Sequence, residues 1–298
     1  MNRNYYLIKT LVTILFLPLL LTACWNNKAS NALDTSFPDR VIDAHTHTNF
    51  DGKPQKTSGI PNTQEQYFHE LSENHVVAAV SMNARDGGGL LIAPEHHIVN
   101  CAGIALPANY KKVEEGIKNK NYQCIKIYLG YVHAFPSDKR YLPLYKMAEK
   151  YNVPVVFHTG DTYSIKAKLK FSDPLTIDEV AVEYPNVTFV IAHVGNPWIE
   201  SAAEVAYKNP NVYLDGSALL IGKLSEYSKD GLQKYVIEPL KYVYGYADYQ
   251  KLMFGTDWPL VGMKDYLTAF KQAIPKEHWD DVFYKNARRV FHMNDLPE

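Results

Sequence analysis

Past residue 40 the chain repeats one alternation, a short β-branched run followed by a longer amphipathic stretch. This alternation is the pattern of βαβ units around a parallel sheet. It predicts strands at 40–45, 76–82, 101–106, 124–129, 153–158, 187–193, 211–215 and 251–256. Helices are expected at 63–74, 109–120, 138–150, 175–184, 198–207, 226–243 and 263–273. Most of the strands are apolar on consecutive residues, as strands buried on both faces must be. The crossover from Asp86-Gly87-Gly88-Gly89 through His97 has the poorest helical pattern and is expected to be irregular. Eight strands, seven crossovers and a closing helix predict an α/β fold, a (β/α)8 TIM barrel, which takes roughly 250 residues. The alternative, a doubly wound open sheet, would carry fewer strands for this length.

The strand ends carry the chemistry. Val41-Ile42-Asp43-Ala44-His45-Thr46-His47, Ile125-Lys126-Ile127-Tyr128, Val155-Val156-Phe157-His158, Val190-Ile191-Ala192-His193 and Met253-Phe254-Gly255-Thr256-Asp257 each close an apolar run with polar residues. In a parallel barrel such positions converge on one mouth. A His-x-His pair is weak evidence alone in a chain with 11 histidines. On a strand, however, residues i and i+2 share a face. His158 or His193 alone would more often be a hydrogen-bonded core residue, and Asp257 alone a cap or turn residue. Lys126 is costly to bury without a partner or a chemical role. As a set, imidazoles and a carboxylate at one mouth suit a divalent metal, zinc foremost.

Composition narrows the partners. A net charge of −1 with no basic block argues against nucleic acid. At the amino terminus, Arg3 and Lys9 precede the apolar run Leu11 to Leu21, which is too short for an ordinary spanning helix. This order reads as an export signal. Leu21-Thr22-Ala23-Cys24 resembles the lipobox of bacterial lipoproteins. That resemblance implies a signal peptide over 1–23, lipidation at Cys24, and a membrane-anchored protein of the cell envelope facing the periplasm or exterior. Residues 24–39 then form a tether and 40–298 the barrel. Cys101 and Cys124 stand near the starts of neighbouring strands, where two buried free thiols are expected in preference to a disulfide.

The strand-end set resembles the amidohydrolase superfamily, closest to its amidohydrolase-related branch of hydrolases and decarboxylases. Asp43-Ala44-His45-Thr46-His47 is similar to its strand-one metal motif. Phe157-His158-Thr159-Gly160 and Ala192-His193-Val194-Gly195-Asn196 are similar to its strand-five and strand-six histidines, and Gly255-Thr256-Asp257-Trp258-Pro259 to its strand-eight aspartate. Lys285 to Phe291 looks like its closing helix. The resemblance implies that His45, His47 and Asp257 hold the first metal and that His158 is a ligand in either of two versions of the site. In a two-metal version, a carboxylated Lys126 bridges both ions, with His158 and His193 on the second. In a one-metal version, His158 joins the first ion, His193 is an acid, base or electrophile, and Lys126 stays an ammonium. Asp257 would orient the attacking water and pass on its proton.

Substrate-binding residues are expected on the loops after the strands: Arg85 after strand two, Tyr128, Tyr131 and His133 after strand four, Trp198 after strand six and Trp258 after strand eight. His69, His75, His96 and His97 read as structural. The expected activity is metal-dependent hydrolysis of a C–N, C–O or lactone bond in a small carboxylated or cyclic substrate. The alternatives are non-oxidative decarboxylation and a non-catalytic metal-binding lipoprotein.

Overall fold

The computed structural model describes residues 36–85 and 97–298, with only the backbone described for residues 83–85. Among the described residues eight strands are present: β1 (Val41–Thr46), β2 (Val76–Arg85), β3 (Ile98–Ile104), β4 (Cys124–Ile127), β5 (Val155–Phe157), β6 (Phe189–Ile191), β7 (Val212–Asp215) and β8 (Leu252–Met253). They pair in parallel, in chain order from β1 to β8. Backbone hydrogen bonds from Ala44 N to Phe254 O (2.9 Å), Asp257 N to His45 O (2.8 Å) and His47 N to Trp258 O (2.7 Å) join the strand-eight segment to β1. The result is a (β/α)8 barrel.

Around the sheet lie α1 (Gln64–Glu73), α2 (Tyr110–Lys118), α3 (Leu129–Val132), α4 (Leu142–Tyr151), α5 (Ile177–Glu183), α6 (Ile199–Lys208), α7 (Lys229–Leu232), α8 (Glu238–Ala247), α9 (Met263–Phe270) and α10 (Asn286–Val290). Their starts follow local chemistry. Thr63 accepts from Gln66 N (3.1 Å) and Asn109 from Lys112 N (3.1 Å), satisfying amides the first turn leaves open. The single helix expected at 226–243 is instead α7, a π-helical turn at Gln233–Ile237, and α8. Pro239 explains the interruption, because it has no N–H to give the carbonyl one turn back. α3 was absent from the expected elements.

The core has two layers. Outward-facing Ile125, Ile127, Val155, Phe157, Phe189 and Leu214 pack against helix residues such as Leu144, Tyr145, Val180 and Leu240. Inward-facing Val156, Val190 and Met253 pack with Tyr284, Val290 and Phe291 of the carboxyl-terminal segment. Burying each such large apolar side chain contributes roughly 1.5–3 kcal/mol.

The expectation of two free thiols is overturned. Cys101 and Cys124 form a disulfide, their Cα atoms 4.3 Å apart. The register of β3 on β4 places them directly opposite, both inside the barrel. The strand predictions alone did not specify that register.

Candidate metal centre

Strand one supplies two imidazoles to the mouth. β1 has an irregularity in its pairing with β2 between Asp43 and Thr46, a feature that re-aims side chains. Asp43 braces this bend: its carboxylate accepts from His45 N (3.1 Å), Thr256 N (2.9 Å) and the Thr256 hydroxyl (2.6 Å). The His45 and His47 rings end 5.5 Å apart. His47 Nε2 stands 2.9 Å and His45 Nε2 3.7 Å from Asp257 Oδ1. Ligand atoms of His45, His47 and Asp257 all lie within 4.8 Å of one another.

Backbone strain presents the other groups. His193 (φ 60°) and Asp257 (φ 68°) are left-handed, as is Val194 (φ 43°), whose branched Cβ makes that conformation costly. Packing around the turn holds it: Gly160, itself left-handed, lies so close to the strand-six loop that a Cβ would sit 2.1 Å from Asn196 O. His193 Nδ1 pairs with Ser217 Oγ (2.8 Å) and its Nε2 with His158 Nδ1 (3.1 Å). His158 Nε2 faces the Asp161 carbonyl (3.0 Å), so both nitrogens of this ring are engaged.

Lys126 is fully buried, and its ammonium has no hydrogen-bond partner among the described residues. It lies 5.4 Å from the Tyr128 ring centroid. The Tyr128 and Tyr131 rings pack 5.9 and 5.1 Å from His158. The Tyr128 hydroxyl donates to Met82 O (3.0 Å), and the Tyr131 hydroxyl accepts from Tyr163 N (3.0 Å).

Burial sets the charge states. It pushes His45 and His193 well below the ordinary imidazole value and His158 down to about 4, with the Lys126 charge acting in the same direction. Burial alone would raise Asp257, but His47, His45 and Lys126 outweigh it and hold the carboxyl below its usual range. Desolvation lowers Lys126 to about 8 against the pull of Asp215 and Asp257. It also raises Asp43 and Asp215 to about 7 against their hydrogen bonds. Neutral imidazoles and an ionised carboxylate are the forms that bind a divalent metal. His45 Nε2, buried without a hydrogen-bond partner among the described residues, is the atom such an ion would satisfy.

The structure thus brings His45, His47 and Asp257 together, with His193, His158, Lys126, Tyr128 and Tyr131 beside them. It does not place His158 in the ligand group. Trp198 precedes α6 and makes no ring contact with the histidines among the described residues. Trp258, expected at the mouth, is instead fully buried against Tyr67, its indole N–H donating to Glu70 (3.2 Å). His133 is away from the cluster, pairing with Lys166 O (2.9 Å) and stacking on Phe171. The side chain of Arg85, and Cys24 with residues 1–23, lie outside the described residues.

Sequence reasoning missed Asp215 and Ser217, at the end of β7. Asp215 Oδ2 is hydrogen-bonded to His45 Nδ1. The signal was available, since Leu214-Asp215-Gly216-Ser217 ends an apolar strand with polar residues like the others.

Known proteins are similar to this chain in sequence or in fold. Protein fluG of Emericella nidulans is 26% identical over 166 residues, which are 49% of this chain and 18% of that protein's length. A probable 2-pyrone-4,6-dicarboxylic acid hydrolase of Acinetobacter baumannii, with citric acid bound, superposes with a TM-score of 0.64 at 16% identity, covering 85% of this chain and 99% of its own. A 5-carboxyvanillate decarboxylase of Sphingomonas paucimobilis superposes with a TM-score of 0.57 at 11% identity, covering 86% and 99%. The sequence pattern of the amidohydrolase family matches residues 92–293, and the chain belongs to that family.

Proposed function

We propose that this protein is a metal-dependent hydrolase that attacks a C–N, C–O or lactone bond in a small carboxylated or cyclic substrate. The observation that carries the reading is the His45–His47–Asp257 group, two of its residues buried and His47 half-buried, with an imidazole nitrogen that has no hydrogen-bond partner among the described residues. These three residues would hold the ion. Its nitrogen and oxygen donors suit zinc. When bound, a divalent ion makes water acidic enough to supply hydroxide near neutral pH and polarises a carbonyl.

This chain's residues do the rest. Asp257, kept ionised, orients the attacking water, takes its proton and returns it to the leaving group. His193, fixed by Ser217 and His158, faces the developing oxyanion. Lys126 offers a buried positive charge to a substrate carboxylate, and Tyr128 and Tyr131 offer aromatic faces. With both His158 nitrogens engaged, the ion in this reading is held by His45, His47 and Asp257 without His158, as a single ion.

Decarboxylation is the second reading. The Lys126 ammonium, without a hydrogen-bond partner among the described residues, favours it, because it would suit the carboxylate to be lost. A panel of lactones, amides and aromatic acids separates the two. Acid or amine release that disappears in Asp257→Asn supports the hydrolase. CO2 evolution without hydrolysis moves the assignment to decarboxylase, and turnover of nothing by a metal-loaded protein leaves a binding lipoprotein.

The envelope location is also a proposal. It rests on the Leu21-Thr22-Ala23-Cys24 resemblance, with the Cys101–Cys124 disulfide supporting an oxidising compartment. Mass analysis of the mature chain tests it: an amino terminus starting at acylated Cys24 is expected, and an intact Met1 terminus would end it.

A further inference from the structure

We propose that Asp215 is a positioning residue: its carboxylate accepts the N–H of His45 Nδ1 and so holds that ring with a bare Nε2 toward His47 and Asp257. The inference rests on the metal-centre reading above and adds a role for the Asp215 carboxylate at the end of β7.

The geometry fixes one edge of the His45 ring. Asp215 is fully buried at the end of β7. Its Oδ2 meets His45 Nδ1, while its Oδ1 accepts from Ser217 N (2.9 Å), so the carboxylate cannot rotate without losing a bond. Strand eight keeps room for the pair: a Cβ on Gly255 would stand 2.7 Å from Asp215 Oδ1 and 3.1 Å from the His45 Cβ. At the opposite edge of the His45 ring, Nε2 has no hydrogen-bond partner among the described residues and lies 3.7 Å from Asp257 Oδ1. A neutral imidazole has one N–H and one lone pair, and an ionised carboxylate only accepts. Pairing Nδ1 with Asp215 therefore puts the proton there and the lone pair on Nε2. Carboxylate–imidazole pairing of this kind orients a ligand and raises its basicity. The rival role is direct ligation, since Asp215 also lies within 4.8 Å of donor atoms on His45 and His193.

The test uses the full chain labelled with ¹⁵N-histidine at pH 8. Long-range ¹H–¹⁵N correlation reads the tautomer, with the His45 signals assigned by their loss in His45→Gln. Metal-free wild type is expected to show His45 protonated on Nδ1. Asp215→Asn should move the proton toward Nε2 and weaken zinc binding, measured by chelator competition, about 10- to 100-fold at unchanged saturation stoichiometry. An Nε2–H tautomer in the wild type overturns the proposal, as does a variant with the wild-type tautomer and zinc affinity. Loss of an ion from the saturated variant also overturns it, by making Asp215 a ligand. If Asp215→Asn does not fold, the wild-type tautomer decides alone. If the wild type binds no zinc, the metal-centre reading fails, while the metal-free tautomers still judge Asp215.

Discussion

Cys124 stands two residues before Lys126 on β4, and both side chains face the barrel interior, so the disulfide to Cys101 lies one layer beneath the buried ammonium. The floor of the candidate centre is therefore a covalent tie between β3 and β4, the strand pair that positions Lys126.

That tie should be measurable as stability. Closing a span of 23 residues removes enough unfolded-state freedom to stabilise the fold by about 3 kcal/mol. The Cys101→Ala/Cys124→Ala double variant should lose about that much in denaturant unfolding. Thiol titration of the unfolded, unreduced chain should find neither Cys101 nor Cys124 reactive; two free thiols there would refute the bond.

Asp257→Asn is expected to lower turnover by about 10³-fold or more, as loss of a positioned base does, with the melting temperature nearly unchanged. Wild-type turnover in that variant would remove Asp257 from the mechanism.

Lys126 should cost the fold stability. Desolvation lowers its ammonium from 10.5 to about 8, so the folded chain at pH 7 carries a charge it holds less readily than the unfolded chain does. The penalty is on the order of 3 kcal/mol. Between about pH 8 and 10.5 the unfolded state binds the extra proton, so wild-type stability rises with pH through that window. Lys126→Met should thus be more stable than wild type at pH 7, with the advantage shrinking toward pH 10. A Lys126→Met protein that is less stable at pH 7 would show a stabilising partner on the amine, such as a carboxylated bridge.

Metal content distinguishes the same alternatives directly. Elemental mass spectrometry should find about one divalent ion per chain, unchanged in Lys126→Ala and lost in His47→Ala. About two ions, falling in Lys126→Ala, would establish the bridged pair instead.

Gly160→Ala should destabilise the fold by about 2 kcal/mol or more, since φ is +75° and Asn196 O occupies the space of the new methyl. Wild-type stability in that variant would mean that the strand-five and strand-six loops do not touch as described.

The barrel and much of its mouth were legible in the sequence because strand periodicity is local. Val155-Val156-Phe157-His158 must bury both faces of a short strand and end on a polar group, whatever lies next to it. The same reasoning brought His45, His47, His193 and Asp257 to one end. Trp258 read as a mouth residue only because it follows Asp257. The left-handed turn at Asp257 and the packing of Tyr67 send its indole into the core instead.

The sequence by itself determined the order of strands and helices and the end of the barrel where imidazoles and carboxylates gather, since both follow from patterns a few residues long. Tertiary structure alone decided which groups meet. The register of β3 on β4 bonded Cys101 to Cys124, and the curvature of the sheet brought Asp215 of β7 to His45 of β1, 170 residues away in sequence. Such pairings depend on the closure of the whole sheet, so no local pattern encodes them.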